Sequence, residues 1–244
     1  MRQSGGSGFP SARASASLAT PDRSLPPMRL EPLRPFLTAA FLATLPLAAS
    51  ADPMGAVGQL VLGHALFAEG EASRDGLALI AGARLAGGVK IGIVEREMQT
   101  EGPAAEAAAA AAAPRNAVQM MASARAAVAA DETLSFLVIS AESLLAVLPA
   151  AEARASAAQI GPGQSHIWRL PADGGAALDI GVVDDGGSGL QLQVVAAKGD
   201  EAPQVLCHAT ALPLCRILLP ESGFVDVTVR NPGSEPENYL LVTN

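Results

Sequence analysis

The sequence predicts an α+β multidomain chain, with N-terminal α-helical hairpins followed by a C-terminal antiparallel β-sandwich or jelly roll. Three observations carry this. From Asp52 to about Gln159 the 244-residue chain is rich in Ala, Leu, Glu and Arg, all strong helix formers. Gly161-Pro162-Gly163 then breaks the pattern. Beyond it, short strand-like runs alternate with Gly, Pro, Asp and Ser.

The helical part divides into two pairs. Leu60, His64, Phe67 and Glu71 recur at helical spacing, as do Leu77, Ile80, Ala81, Arg84 and Leu85. Between them, Ser73 or Asp75 supplies a side-chain oxygen that can cap the second helix. The plan recurs from Asn116 to about Leu148. One face is Val118, Met121, Ala122, Arg125 and Val128, Asp131-Glu132-Thr133 is a polar break, and Leu134, Leu137, Val138, Leu144, Leu145 and Leu148 form the next face before Pro149. Each hairpin needs a neighbour to bury its apolar stripe, which suggests a four-helix or superhelical assembly. The two pairs are joined by a connector over 101–114, almost all alanine from Ala104 to Ala113. A helix of about ten residues is marginal on its own in water, so this segment is expected to be semi-ordered.

Strands are expected at 165–170, 177–183, 190–197, 204–208, 214–219, 224–230 and 238–243. Alternation is cleanest in Phe224–Arg230, where Val225, Val227 and Val229 should face a core while Asp226, Thr228 and Arg230 face water. Many short strands in about 80 residues point to a sandwich. The domain plan is therefore 52–159 helical and 164–244 β-sandwich.

Two patterns in the β part carry a resemblance. One is the opening His166-Ile167-Trp168-Arg169-Leu170 strand with the Gly174-Gly175 turn and Leu178-Asp179-Ile180. The other is the closing Glu221–Asn231 run followed by Tyr239-Leu240-Leu241-Val242. Residues 165–244 resemble the bacterial pre-peptidase C-terminal domain, a small β-sandwich of secreted proteins. That resemblance implies an accessory or adhesive module and does not imply proteolysis. Where the family tends to carry an acidic Asp-x-Asp strand, this chain has Ser188-Gly189-Leu190-Gln191-Leu192-Gln193, with Asp184 and Asp185 nearby. Hard cations need several oxygen ligands, so a polar turn is favoured over a metal site there.

Residues 28–51 read as a secretory signal peptide. Arg29 and Arg34 precede an apolar run from Phe36 to Leu47, and Ala49-Ser50-Ala51 supplies the small-x-small pattern for cleavage after Ala51. The run is too short for the ~20 residues that a permanent membrane anchor needs. Residues 1–27, rich in Gly, Ser, Ala and Pro, are read as a disordered extension or a mis-assigned start, with Met28 the better initiator. The whole chain has a net charge of −8, and residues 52–244 hold 11 basic and 22 acidic side chains. Such an excess favours solubility and excludes a broad electrostatic platform for nucleic acid or anionic lipid. Aromatic residues make up only 3%, which also argues against base stacking.

Few residues are equipped for chemistry. Cys207 and Cys215 both follow the leader, where an oxidising compartment favours their pairing. A hairpin turning near Ala211 would set them nearly opposite on adjacent strands. Redox motifs space their cysteines by two, which makes a redox role the weaker alternative. His64, His166 and His208 lack a second ligand at metal spacing, and no cofactor or metal is implied. No Gly-x-Ser-x-Gly element is present. The leading expectation is an exported, soluble, non-enzymatic envelope protein. Its helical part would bind a protein or peptide partner in the envelope through exposed apolar side chains, with Leu66, Phe67, Met120 and Met121 as candidates. One rival is a periplasmic hydrolase using His166 or His208 with a nearby Asp or Ser. A purely structural envelope protein is the third reading.

Overall fold

Helix α1 (Ala56–Ser73) ends at Arg74, whose left-handed backbone at φ 58° turns the chain into α2 (Gly76–Gly87). Asp75 caps α2, its carboxylate accepting from the N–H groups of Leu77 (2.9 Å) and Ala78 (3.2 Å). The two helices approach closely enough that a Cβ on Gly82 would lie 2.6 Å from the Gly63 carbonyl oxygen. The computed structural model describes residues 55–103, 113–147, 150–186, 189–196 and 203–244. The leader over 28–51, residues 1–27, connector residues 104–112, Pro149 and Ser188 lie outside the described residues.

The second expected hairpin is also present, as α3 (Ala117–Ala127) and α4 (Glu132–Val147). Asn116 and Gln119 form a reciprocal capping box at the start of α3. The polar break supplies Asp131, whose carboxylate accepts from the Leu134 N–H at 3.0 Å.

Three strands arise inside the stretch that composition marks as helical: β1 (Val89–Ile93), β2 (Met98–Glu101) and β3 (Ala151–Ile160). The seven expected strands follow as β4 (Ser165–Ala172), β5 (Ala177–Val183), β6 (Gln191–Ala196), β7 (Gln204–Ala209), β8 (Leu214–Leu218), β9 (Gly223–Arg230) and β10 (Glu237–Thr243). Two five-stranded sheets result. One runs β1-β3-β10-β5-β8 and the other β2-β4-β9-β6-β7. Every pairing is antiparallel except β1 with β3.

These strands overturn the division at residue 159. The 52–159 stretch contributes to both sheets, and Ser50–Asn244 form one compact unit. Strand β3 reads as helix because Ala, Glu and Arg favour helices in isolation. In the fold it lies between β1 and β10, and paired neighbours override intrinsic propensity.

The burial pattern reveals three layers. β5 and β10 are buried on consecutive residues at their ends, because the first sheet is covered on both faces. On one face Ala153, Ala155, Val183, Leu240 and Val242 pack with the helices. On the other, Ile160, Ile180, Val182, Tyr239 and Leu241 pack with the second sheet. β6 and β9 alternate instead, since the outer face of the second sheet meets solvent. Val225, Val227 and Val229 are buried as expected.

The helix faces need correction in detail. α2 buries Leu79, Ile80, Ala83 and Ala86, leaving Leu77 and Arg84 exposed. α3 buries Met120, Met121 and Ala124 and exposes Val118. Apolar residues surround these helices on more than one side, so spacing alone could not choose the face that meets the sheet.

Candidate functional site

The expected apolar contact residues lie mostly inside. Phe67, Met120 and Met121 are core residues of the helix–sheet layer, and Leu66 is partly buried. Their hydrophobicity is consumed in the core shared by the helices and the first sheet, with α3 packed on α2.

The first sheet also carries a cleft of about 790 Å³ between α1, the β5–β6 turn and the β7–β8 crossing. From α1 it receives His64, Glu69 and Glu71, from the turn Asp184 and Asp185, and from the crossing Thr210 to Pro213. The turn comes close to α1 at Gly186, which has φ 95° and where a side chain would collide with Ala68. Asp184 holds the bend by accepting from the Gly186 N–H at 2.8 Å.

One guanidinium braces this rim. Arg115 donates to both carboxylate oxygens of Glu71, at 2.6 and 2.7 Å, in a bidentate pair. Its backbone N–H and Nε also donate to Asp185 Oδ1, at 2.7 and 3.3 Å. The same guanidinium sits 5.1 Å above the Phe67 ring. Hydrogen bonding to Glu71 strengthens the Arg115 charge, and the reciprocal bond holds Glu71 below the usual carboxylate range.

The brace leaves the cleft negative. Among the described residues Glu69, Glu71, Asp184 and Asp185 line the cleft, with Arg115 paired to Glu71 and Asp185 at its rim. The field reaches Glu237, whose carboxyl is raised by burial and then by repulsion from Asp184, Asp185 and Glu235. At the inner wall His64 is nearly buried and its Nδ1 lies 3.2 Å from the Asp184 carbonyl oxygen. Burial lowers its pKa, so it is neutral and donates Nδ1–H to that carbonyl without offsetting the carboxylates. A cleft of this size, walled by fixed carboxylates, suits a cationic side chain.

The histidines of the hydrolase reading are placed elsewhere. His166 is 2% exposed inside the sandwich, with Nδ1 2.8 Å from the Tyr239 hydroxyl and Trp168 Nε1 3.0 Å from the same oxygen. It has a hydroxyl within reach but no opening through which substrate can come. His208 lies exposed on β7, in register with Gln193. Among the described residues, neither histidine stands in the cleft.

Cys207 and Cys215 are joined in a disulfide with Cα atoms 6.0 Å apart. Their setting differs from the hairpin expected from sequence. β7 edges one sheet and β8 the other, so the bond staples the two sheets at one margin of the sandwich. The crossing at 210–213, which forms part of the cleft wall, is the segment this bond closes.

Sequence could have flagged the cleft only weakly. Glu69, Glu71, Asp184 and Asp185 are visible as two acidic pairs, but more than 100 residues separate them. Arg115, which bridges them, lies next to the alanine-rich connector and has no motif around it.

No protein-family model matches the chain, and neither does any curated protein. Among solved structures, the chain is similar to Aeromonas hydrophila PliG, a periplasmic lysozyme inhibitor of g-type lysozyme. The identity is 17%, 38% of this chain and 84% of that chain are covered, and the TM-score is 0.32. It is also similar to the Yersinia pseudotuberculosis-derived mitogen (13%, 38% and 84%, 0.33) and to a de novo designed double-stranded β-helix (12%, 37% and 99%, 0.24). Likeness at this level assigns this chain neither a fold family nor a function.

Proposed function

We propose that this is an exported, soluble, non-enzymatic envelope protein that binds a protein or peptide partner, and that the partner offers a basic segment to the acidic cleft. The observation that carries the reading is the cleft itself, where Glu69, Glu71, Asp184 and Asp185 surround a cavity of about 790 Å³ and Arg115 fixes its rim. The leader with cleavage after Ala51 and the disulfide support an oxidising, extracytoplasmic location. Among the described residues no helix is long and apolar enough to cross a membrane. The accessory role implied by the resemblance to the pre-peptidase C-terminal domain belongs to the same reading.

Calorimetric titration of residues 52–244 with a lysine-rich peptide tests it. Binding should weaken as salt is raised, because the contact is between exposed charges. Glu69→Lys, which leaves the Arg115 brace intact, should weaken binding about tenfold or more. An absence of binding at low salt, or binding indifferent to Glu69→Lys, would overturn the cleft as the site and leave the purely structural reading.

A further inference from the structure

The outer face of α4 is apolar from Phe136 to Val147 apart from two serines. Phe136 is 69% exposed, Ile139 57% and Val147 75%, with Leu137 and Leu144 beside them. The polar residues on this face are Ser140 and Ser143, and each folds its hydroxyl onto its own helix. Ser140 Oγ donates to the Phe136 carbonyl at 3.0 Å and Ser143 Oγ to the Ile139 carbonyl at 2.9 Å. From Thr133 to Val147 the one ionisable side chain is Glu142, and it is paired with Arg125 of α3.

We infer that α4 packs antiparallel against α4 of a second copy of this chain, across a twofold axis near Ala141 and Glu142. This goes beyond the cleft reading and does not depend on it. The face is palindromic. About its midpoint Phe136 mirrors Val147 and Ser140 mirrors Ser143, and on one edge Leu137 mirrors Leu144 to within two residues. An isologous contact requires this, since residue i of one copy must fit residue j of the other and the reverse. Phe136 then covers the partner copy's Val147 at both ends. The small serines sit at the crossing, where they let the axes close to about 8–10 Å.

Charge permits the pairing. Glu142 turns away from this face to pair with Arg125 of α3, so no unpaired charge is buried at the axis. Asp131 and Glu132 fall outside the paired stretch, and the two helix dipoles oppose each other favourably. Covering the five apolar side chains from both copies removes on the order of 1,000 Å², the size at which specific interfaces begin. Each copy carries a net negative charge, so salt should strengthen this contact while weakening a basic peptide in the cleft.

Sedimentation equilibrium of residues 52–244, with no peptide added, tests the inference. The expected result is a micromolar monomer–dimer equilibrium that tightens with salt. Phe136→Glu should raise the dissociation constant at least ~tenfold with the thermal midpoint unchanged, because Phe136 is largely exposed in the monomer. As a second variant that keeps the face intact, Ser143→Cys should form a disulfide-linked dimer on mild oxidation, whereas Val118→Cys, exposed on α3, should not. A chain that stays monomeric at high concentration, or a dimer that Phe136→Glu leaves intact and Ser143→Cys fails to trap, would overturn it. So would a monomer that floats with phosphatidylethanolamine–phosphatidylglycerol vesicles and is released by Phe136→Glu, which would assign the face to lipid.

Discussion

The Tyr239 hydroxyl accepts from Trp168 Nε1 across 3.0 Å in the interior of the sandwich and shares a hydrogen bond of 2.8 Å with His166 Nδ1. The indole N–H can only donate, so the Tyr239 oxygen accepts from it, while the direction of the bond to His166 follows the imidazole tautomer, since a neutral imidazole carries one donor and one acceptor nitrogen. The three residues come from the facing strands β4 and β10, so the trio ties one sheet to the other. Burial holds the Tyr239 phenol well above its usual range, so it stays protonated.

Tyr239→Phe leaves the ring packing intact and strands two buried partners. A buried polar group without a partner costs about 1–3 kcal/mol, so the substitution should lower stability by about 2–4 kcal/mol in urea denaturation. A loss below about 0.5 kcal/mol would show that neither bond contributes.

His166 also imposes a pH dependence. Burial depresses its pKa from 6.5 to about 4 in the folded protein. Between those values the unfolded chain takes up a proton that the folded chain refuses, so stability falls as pH drops from 6.5 toward 4. His64, lowered by burial, acts in the same direction. The slope of stability against pH over this window should therefore become shallower in His166→Gln without vanishing. An unchanged slope would mean that His166 is as readily protonated folded as unfolded.

The Cys207–Cys215 bond closes a loop of about nine residues, which corresponds to roughly 2–3 kcal/mol in the chain-entropy account. A Cys207→Ser, Cys215→Ser double variant should lose that stability, with the loss felt most at the β7 and β8 edges in hydrogen exchange. Intact-mass measurement of the product recovered from its native envelope should find a chain beginning after Ala51 with both thiols oxidised. An intact leader with free thiols would remove the export reading.

Legibility of the fold followed period and local chemistry. Strands β4 to β10 were evident because their alternation and turn residues act within a few positions, and Asp75 offered a cap for α2 for the same reason. β3 was hidden because its Ala-Glu-Arg composition favours a helix until β1 and β10 pair with it. Met120 and Met121 looked like contact residues because sequence cannot separate a buried apolar face from an exposed one when a helix carries both. α4 is the case where the exposed face is apolar too. The disulfide was read correctly as a pair. The sheets it joins were not, because the crossing between β7 and β8 looks in sequence like an ordinary hairpin turn.

The most direct test of the cleft as the working site is where a basic ligand lands. Amide chemical-shift mapping of residues 52–244 titrated with a lysine-rich peptide should move signals at Glu69, Glu71, Asp184, Asp185 and Ala211, leaving the α4 face at Phe136 and Val147 untouched. Shifts centred on any other surface, or no shifts at low salt, would contradict the account.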